Sequence, residues 1–135
     1  MDSTTTFIEP LSLRDAIVSK ATDFIVVDVR DDDHHGGHIA GSINAPSSSI
    51  MWDPADDATL RRFVQSHADK KTVVFHCMKS QVRGPKCSLI FQRVLCEELS
   101  KGEAVPSVKV LRGGYEGFRR RFADDPEASL LFESV

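Results

Sequence analysis

A chain of 135 residues and 15.0 kDa can bury a core without disulfide or metal staples, and its length fits one domain over residues 1–135. With 41% hydrophobic and 27% charged residues and a formal net charge of −3, the composition is that of a soluble globular protein. It gives no electrostatic reason to expect nucleic acid or an anionic membrane as partner. Apolar runs such as FIVV and SLLF fall far short of the roughly 20 residues that span a bilayer. The start MDSTTTFIEP lacks the basic and apolar regions of a secretory signal, so a cytoplasmic or nuclear location is expected. Cys77, Cys87 and Cys96 are an odd number without CxxC spacing, which argues against a disulfide framework or a zinc knuckle. At least one thiol is expected to be kept for its reactivity.

Taken in chain order, LSLRDAIVSK from Leu11 to Lys20 has helical spacing after Pro10, and DFIVVDVR from Asp23 is an apolar, β-branched run of the buried-strand type. DDDHHGGHIAGSINAP is rich in turn formers, with a short strand over Ser42 to Ala45. DATLRRFVQSHA predicts an amphipathic helix capped by Asp57, and KTVVFHC a second apolar strand. From Arg83, RGPKCSLIFQRVLCEELSKG predicts a long helix with Pro85 in its first turn and Gly102 as its stop; Cys87, Ile90, Phe91 and Val94 face the core. SVKVLRGG predicts a third strand ended by Gly113 and Gly114, and YEGFRRRF a short helix. Strands alternating with helices imply parallel pairing with helices on both faces, a three-layer α/β domain.

Ligands of such sheets sit at the carboxyl ends of the strands, where Cys77 falls. Between KTVVFH and the helix from Arg83, the residues Met78, Lys79, Ser80, Gln81 and Val82 can turn their backbone N–H groups inward as an anion nest beside a helix N-terminus. That setting favours the thiolate, the nucleophilic form of Cys77. The Arg83 fork suits two oxygens of a tetrahedral oxyanion, which makes Cys77 and Arg83 the catalytic pair. The competing reading is a buried cysteine near a helix-capping arginine. His76 is expected to orient the loop and tune the thiolate, and Asp28 with Arg30 to form a buried support pair, Asp28 bonding the loop or His76.

HCMKSQVRGP resembles the signature loop of rhodanese-fold phosphatases of the Cdc25 type and of the small eukaryotic arsenate reductases. VVDVRDDDHHGGHIAGSINAP resembles the first rhodanese homology motif and VLRGGYEGFRR the second, so the likeness runs from about Phe24 to Arg120. It implies a rhodanese-like domain with a mostly parallel central sheet of about five strands. Sulfurtransferases of this fold carry a loop one residue shorter, and the intact Cys77 and Arg83 speak against a non-catalytic binding module, so both are the remoter readings.

Phosphate-ester hydrolysis needs an acid for the leaving oxygen, yet the cell-cycle phosphatases' loop glutamates are replaced here by Met78 and Val82. Glu116 and Asp31 to Asp33 are candidates outside the loop, against the plainer reading of solvated surface carboxylates. Arsenate loses hydroxide or water and demands less. The resemblance then implies an arsenate reductase without bound cofactor, in which Cys77 forms a thiol-arsenate adduct resolved by glutathione and glutaredoxin. A Cdc25-like tyrosine or dual-specificity phosphatase is the alternative.

Expected partners are a small oxyanion and either glutaredoxin or a phosphoprotein. A monomer is expected, with a dimer as the other option. Lys79, Arg112, Arg119, Arg120 and Arg121 are candidates to receive glutathione carboxylates or an acidic partner, or form a solvated basic face. Cys87 is read either as a resolving thiol or as a core cysteine, and Cys96 as structural. Val29 stands where some cell-cycle phosphatases have a protective cysteine. His34, His35 and His38 lie in a Gly-rich span that does not suggest a metal site. Trp52 is read as covering the site or filling a surface groove.

Overall fold

The computed structural model describes residues 5–31, 36–48, 52, 57–99 and 105–134. Among the described residues, seven strands and five helices follow one another as β1 (Phe7–Ile8), α1 (Pro10–Val18), β2 (Phe24–Asp28), β3 (His38–Ile39), β4 (Ile43–Asn44), α2 (Asp57–His67), β5 (Thr72–His76), α3 (Arg83–Glu98), β6 (Ser107–Leu111), α4 (Gly114–Phe122), α5 (Ala128–Leu131) and β7 (Phe132–Glu133). Strands β1, β6, β5, β2 and β4, in that order, form a five-stranded sheet in which every pairing is parallel. Strands β3 and β7 make a separate antiparallel pair. The expected three-layer α/β architecture is present.

The long central strands alternate their side chains between two cores. Val73 and Phe75 of β5 enter the core with α2 and α3, and Val74 enters the opposite one with Leu13, Phe118 and Leu131 of α1, α4 and α5. A strand buried on both faces reads as a continuous apolar run, which is why TVVFH and FIVVD show no polar alternation.

The first helix begins at Pro10, whose missing N–H suits a first-turn position, and stops at Val18, before the expected end at Lys20. Helix α2 starts at Asp57 as predicted, while the capping role given to that side chain lies outside the described residues. Helix α3 ends at Glu98, where Leu99 turns to extended backbone; the stop expected at Gly102 also lies outside them. Cys87, Phe91, Val94 and Leu95 form its buried stripe, with Ile90 partly buried alongside. Among the described residues no helix is long and apolar enough to cross a membrane.

Candidate active site

Parallel pairing brings the carboxyl ends of β2, β4 and β5 side by side, with Asp28 opposite both Asn44 and His76. Cys77 follows at the end of β5, and the chain must turn from strand to helix within the next few residues. Ser80 makes that turn with φ 55°, a left-handed conformation uncommon for a side chain other than glycine. The Ser80 N–H then points at the Cys77 Sγ at 3.2 Å, and the Gly84 N–H in the first turn of α3 does so at 3.3 Å. Two amides thus converge on one sulfur: that of Ser80, from the stretch 78–82 in which a nest is expected, and that of Gly84, from α3 beyond it. Ser80 itself is buried, and its Oγ has no hydrogen-bond partner among the described residues.

Helix α4 holds the loop from outside. The N–H groups of Tyr115 and Glu116 donate to the carbonyls of Cys77 and Met78 at 3.0 and 2.9 Å. A trans peptide sets its C=O and N–H in opposite directions, so the Met78 and Lys79 amides point away from α4. The approach is close enough to require glycine: a Cβ on Gly114, which has φ 64°, would lie 2.4 Å from the Met78 carbonyl oxygen.

The loop encloses a cavity of about 270 Å³ lined by Cys77, Met78, Lys79, Gln81, Val82 and Arg83. Arg83 Nη1 lies 3.2 Å from Asp31 Oδ2, and the Ser47 hydroxyl and Ser48 N–H donate to the same carboxylate at 2.8 and 2.9 Å. Burial alone would raise the Asp31 pKa, but the hydrogen bonds from Ser48, Ser47 and Arg83 outweigh it and hold the carboxyl down to about 2. The candidacy of Asp31 as a general acid is corrected on that ground, because an ionised carboxylate has no proton to give. Asp32 and Asp33 lie outside the described residues, as do His34 and His35.

The other proposed acid, Glu116, does not line this cavity. It sits on α4 between Lys79 Nζ at 3.9 Å and Arg120 Nη2 at 3.3 Å. Asp28 and Arg30 are the buried pair expected from Asp-x-Arg. Arg30 Nη2 donates to Asp28 Oδ2 at 2.7 Å and to the Gly37 carbonyl at 2.9 Å, and its guanidinium lies 4.1 Å from the centre of the Tyr115 ring. Burial opposes ionisation of Asp28, yet the bonds from Arg30 leave its carboxyl below the ordinary value. Asp28 Oδ2 is 3.9 Å from His76 Nε2. His76 Nδ1 lies 3.1 Å from the Cys77 carbonyl, within hydrogen-bond distance.

The remaining sequence candidates are dispersed. Cys87 is buried in the core, and burial pushes its thiol up to about 12, which suits a packing role better than a resolving one. Cys96 is corrected from structural to exposed, since it follows Leu95 onto the outer side of α3. Trp52 is also corrected: it is buried between Phe63 and Phe75 and donates to the Ala45 carbonyl at 3.0 Å, neither covering the loop nor filling a surface groove. His38 bonds Ser42 Oγ at 3.0 Å, and no group of metal-ligating side chains gathers among the described residues. Arg112 pairs with Glu9 at 2.7 Å, and Arg119 and Arg121 are exposed.

Ser47, Ser48, Gly114 and Tyr115 were not singled out from the sequence. Only Gly114 left a signal there, as half of a Gly-Gly pair read as a strand end.

A parallel α/β domain with a cysteine in an amide-lined, seven-residue anion loop defines the class of protein. The family model "Rhodanese-like domain" matches residues 10–121, and the chain belongs to that family as an enzyme of its fold. The CDC25-like phosphatase YCH1 of Saccharomyces cerevisiae is 37% identical over 107 residues, covering 76% of this chain and 70% of the relative. Arsenate reductase 2.2 of rice is 36% identical over 94 residues, covering 69% and 67%. The solved structure of the As-Sb reductase from Leishmania major superposes with a TM-score of 0.79 at 30% identity, over 95% of this chain and 85% of that one.

Proposed function

We propose that the protein is a thiol-dependent arsenate reductase. One observation carries this reading: among the described residues lining the cavity none bears a carboxyl group, and Asp31, the carboxylate placed against Arg83, is held ionised. Such a cavity is poorly equipped to protonate an alkoxide or phenoxide, whereas arsenate loses only hydroxide, which solvent protonates.

In the proposed reaction the loop amides and Arg83 bind the oxyanion, and the Cys77 sulfur attacks arsenic, forming an S–As bond as one oxygen leaves as water. A first thiol, such as glutathione, then attacks the Cys77 sulfur. The S–As bond breaks and its electron pair passes to arsenic, which leaves as arsenite. The Cys77–glutathione disulfide holds the two oxidised sulfurs. A second thiol, from glutathione or glutaredoxin, exchanges with that disulfide and returns Cys77 to its thiolate form.

A Cdc25-like phosphatase is the second reading, favoured by a relative of that name as similar as the reductase. Parallel assays of arsenite formed with glutathione and glutaredoxin, and of phosphate released from an aryl ester, separate the two. The reductase reading expects arsenite as the faster product and none from Cys77→Ser. Faster phosphate release would favour the phosphatase.

A further inference from the structure

A second cavity, of about 290 Å³, adjoins the catalytic one and is lined by Lys79, Gln81, Gly113, Glu116, Gly117 and Arg120. Lys79 and Gln81 line both. The loop that carries Cys77 therefore contributes a wall to both, through Lys79 and Gln81.

Two features of this groove have no explanation in the fold. One is Gly117, in the middle of α4. A Cβ built there meets nothing within 4 Å, unlike at Gly114, so no neighbour excludes a side chain. Glycine is the poorest helix former after proline, so helix stability argues against it as well. What the missing side chain preserves is the open floor of the groove. The other is the order of charge: Glu116 stands between Lys79 at 3.9 Å and Arg120 at 3.3 Å, with both cations largely exposed. Exposed pairs of this kind are weak, so carboxylates of a ligand can replace Glu116 on either cation with little loss.

We propose that the groove seats the reducing co-substrate, a short peptide thiol with two carboxylates and one ammonium. Its carboxylates meet Lys79 and Arg120, its ammonium meets Glu116, and its backbone lies over Gly113 and Gly117. The inference rests on the reductase reading, in which a thiol must reach a Cys77 that is only 3% exposed. The groove supplies the side from which it arrives.

The test compares kcat/KM for glutathione with that for mercaptoethanol, a neutral thiol, in the parent, in Gly117→Leu and in the double variant Lys79→Gln, Arg120→Gln. The ratio is expected to fall about tenfold in both variants. Gly117→Leu is expected to melt no lower than the parent, because a good helix former replaces glycine. An unchanged ratio with arsenite still produced overturns the groove and leaves the reductase reading standing. If the parent forms no arsenite with either thiol, the reductase reading fails, and NMR titration with S-methylglutathione decides the groove. Shifts of the Gly113 and Gly117 amides that vanish in the double variant support it, and their absence overturns it.

Discussion

Asp31 and Arg83 meet across 52 positions of sequence, and under the proposed function their contact helps to hold the guanidinium that binds the oxyanion. Removing the Asp31 charge releases Arg83 from one fixed direction, so Asp31→Asn is expected to lower kcat/KM for the oxyanion by about three- to tenfold, mainly through KM. With its folded pKa held near 2 against about 3.9 unfolded, this carboxylate contributes its stabilisation above pH 4 and loses it as the pH falls toward 2. The parent's activity profile between pH 5 and 9 should accordingly carry no inflection from Asp31. Thiol labelling checks a second residue: Cys96 should alkylate readily in the native protein at pH 8, while Cys87, buried and pushed up to about 12, should label only on unfolding. Rapid native labelling of Cys87 would contradict its place in the core.

The sharpest constraint on any single element is where α4 presses its first turn against the Cys77 loop. Gly114→Ala would place a Cβ 2.4 Å from the Met78 carbonyl oxygen, so the loop backbone must move. Displacements of about 1 Å at a reacting centre cost on the order of a hundredfold in rate, and that loss in kcat/KM is expected here. Circular dichroism should still show the fold. Elements were legible in the sequence in proportion to how locally they are specified. FIVVD, TVVFH and the helix after Arg83 carry their own periodicity or end signals, and the anion loop announces itself by standing between a strand and a helix. Of the two-residue strands, β4 falls within residues 42–45, a span marked by turn formers, whereas β1, β3 and β7 are too short to show a period and exist only through partners far along the chain. The same reason hid the anchoring of Asp31 by Ser47 and Ser48 and the burial of Trp52, which packs against Phe63 and Phe75.

At the scale of the whole molecule, one buried ion pair connects the parts that build the site. Arg30 joins Asp28 at the end of β2 to the Gly37 carbonyl and lies over Tyr115 of α4. Arg30→Met would leave the Asp28 carboxylate uncompensated in the interior, and a loss of about 3–5 kcal/mol in unfolding free energy is expected from denaturant titration. The exposed Arg112–Glu9 pair offers the control, since Arg112→Met should change stability by less than about 1 kcal/mol. Asp28 is held below its ordinary value, so its pair stabilises above about pH 4 and loses that contribution as the pH falls through the folded value.

In the proposed reaction Cys77 passes two electrons to a bound oxyanion, and the disulfide left on its sulfur is the direct trace of that event. Mass spectrometry of enzyme quenched during turnover should find glutathione bound through a disulfide to Cys77 when arsenate and glutathione are both present, and not with glutathione alone. A Cys77 that acquires phosphate from an aryl ester but never acquires glutathione in the presence of arsenate would contradict the account.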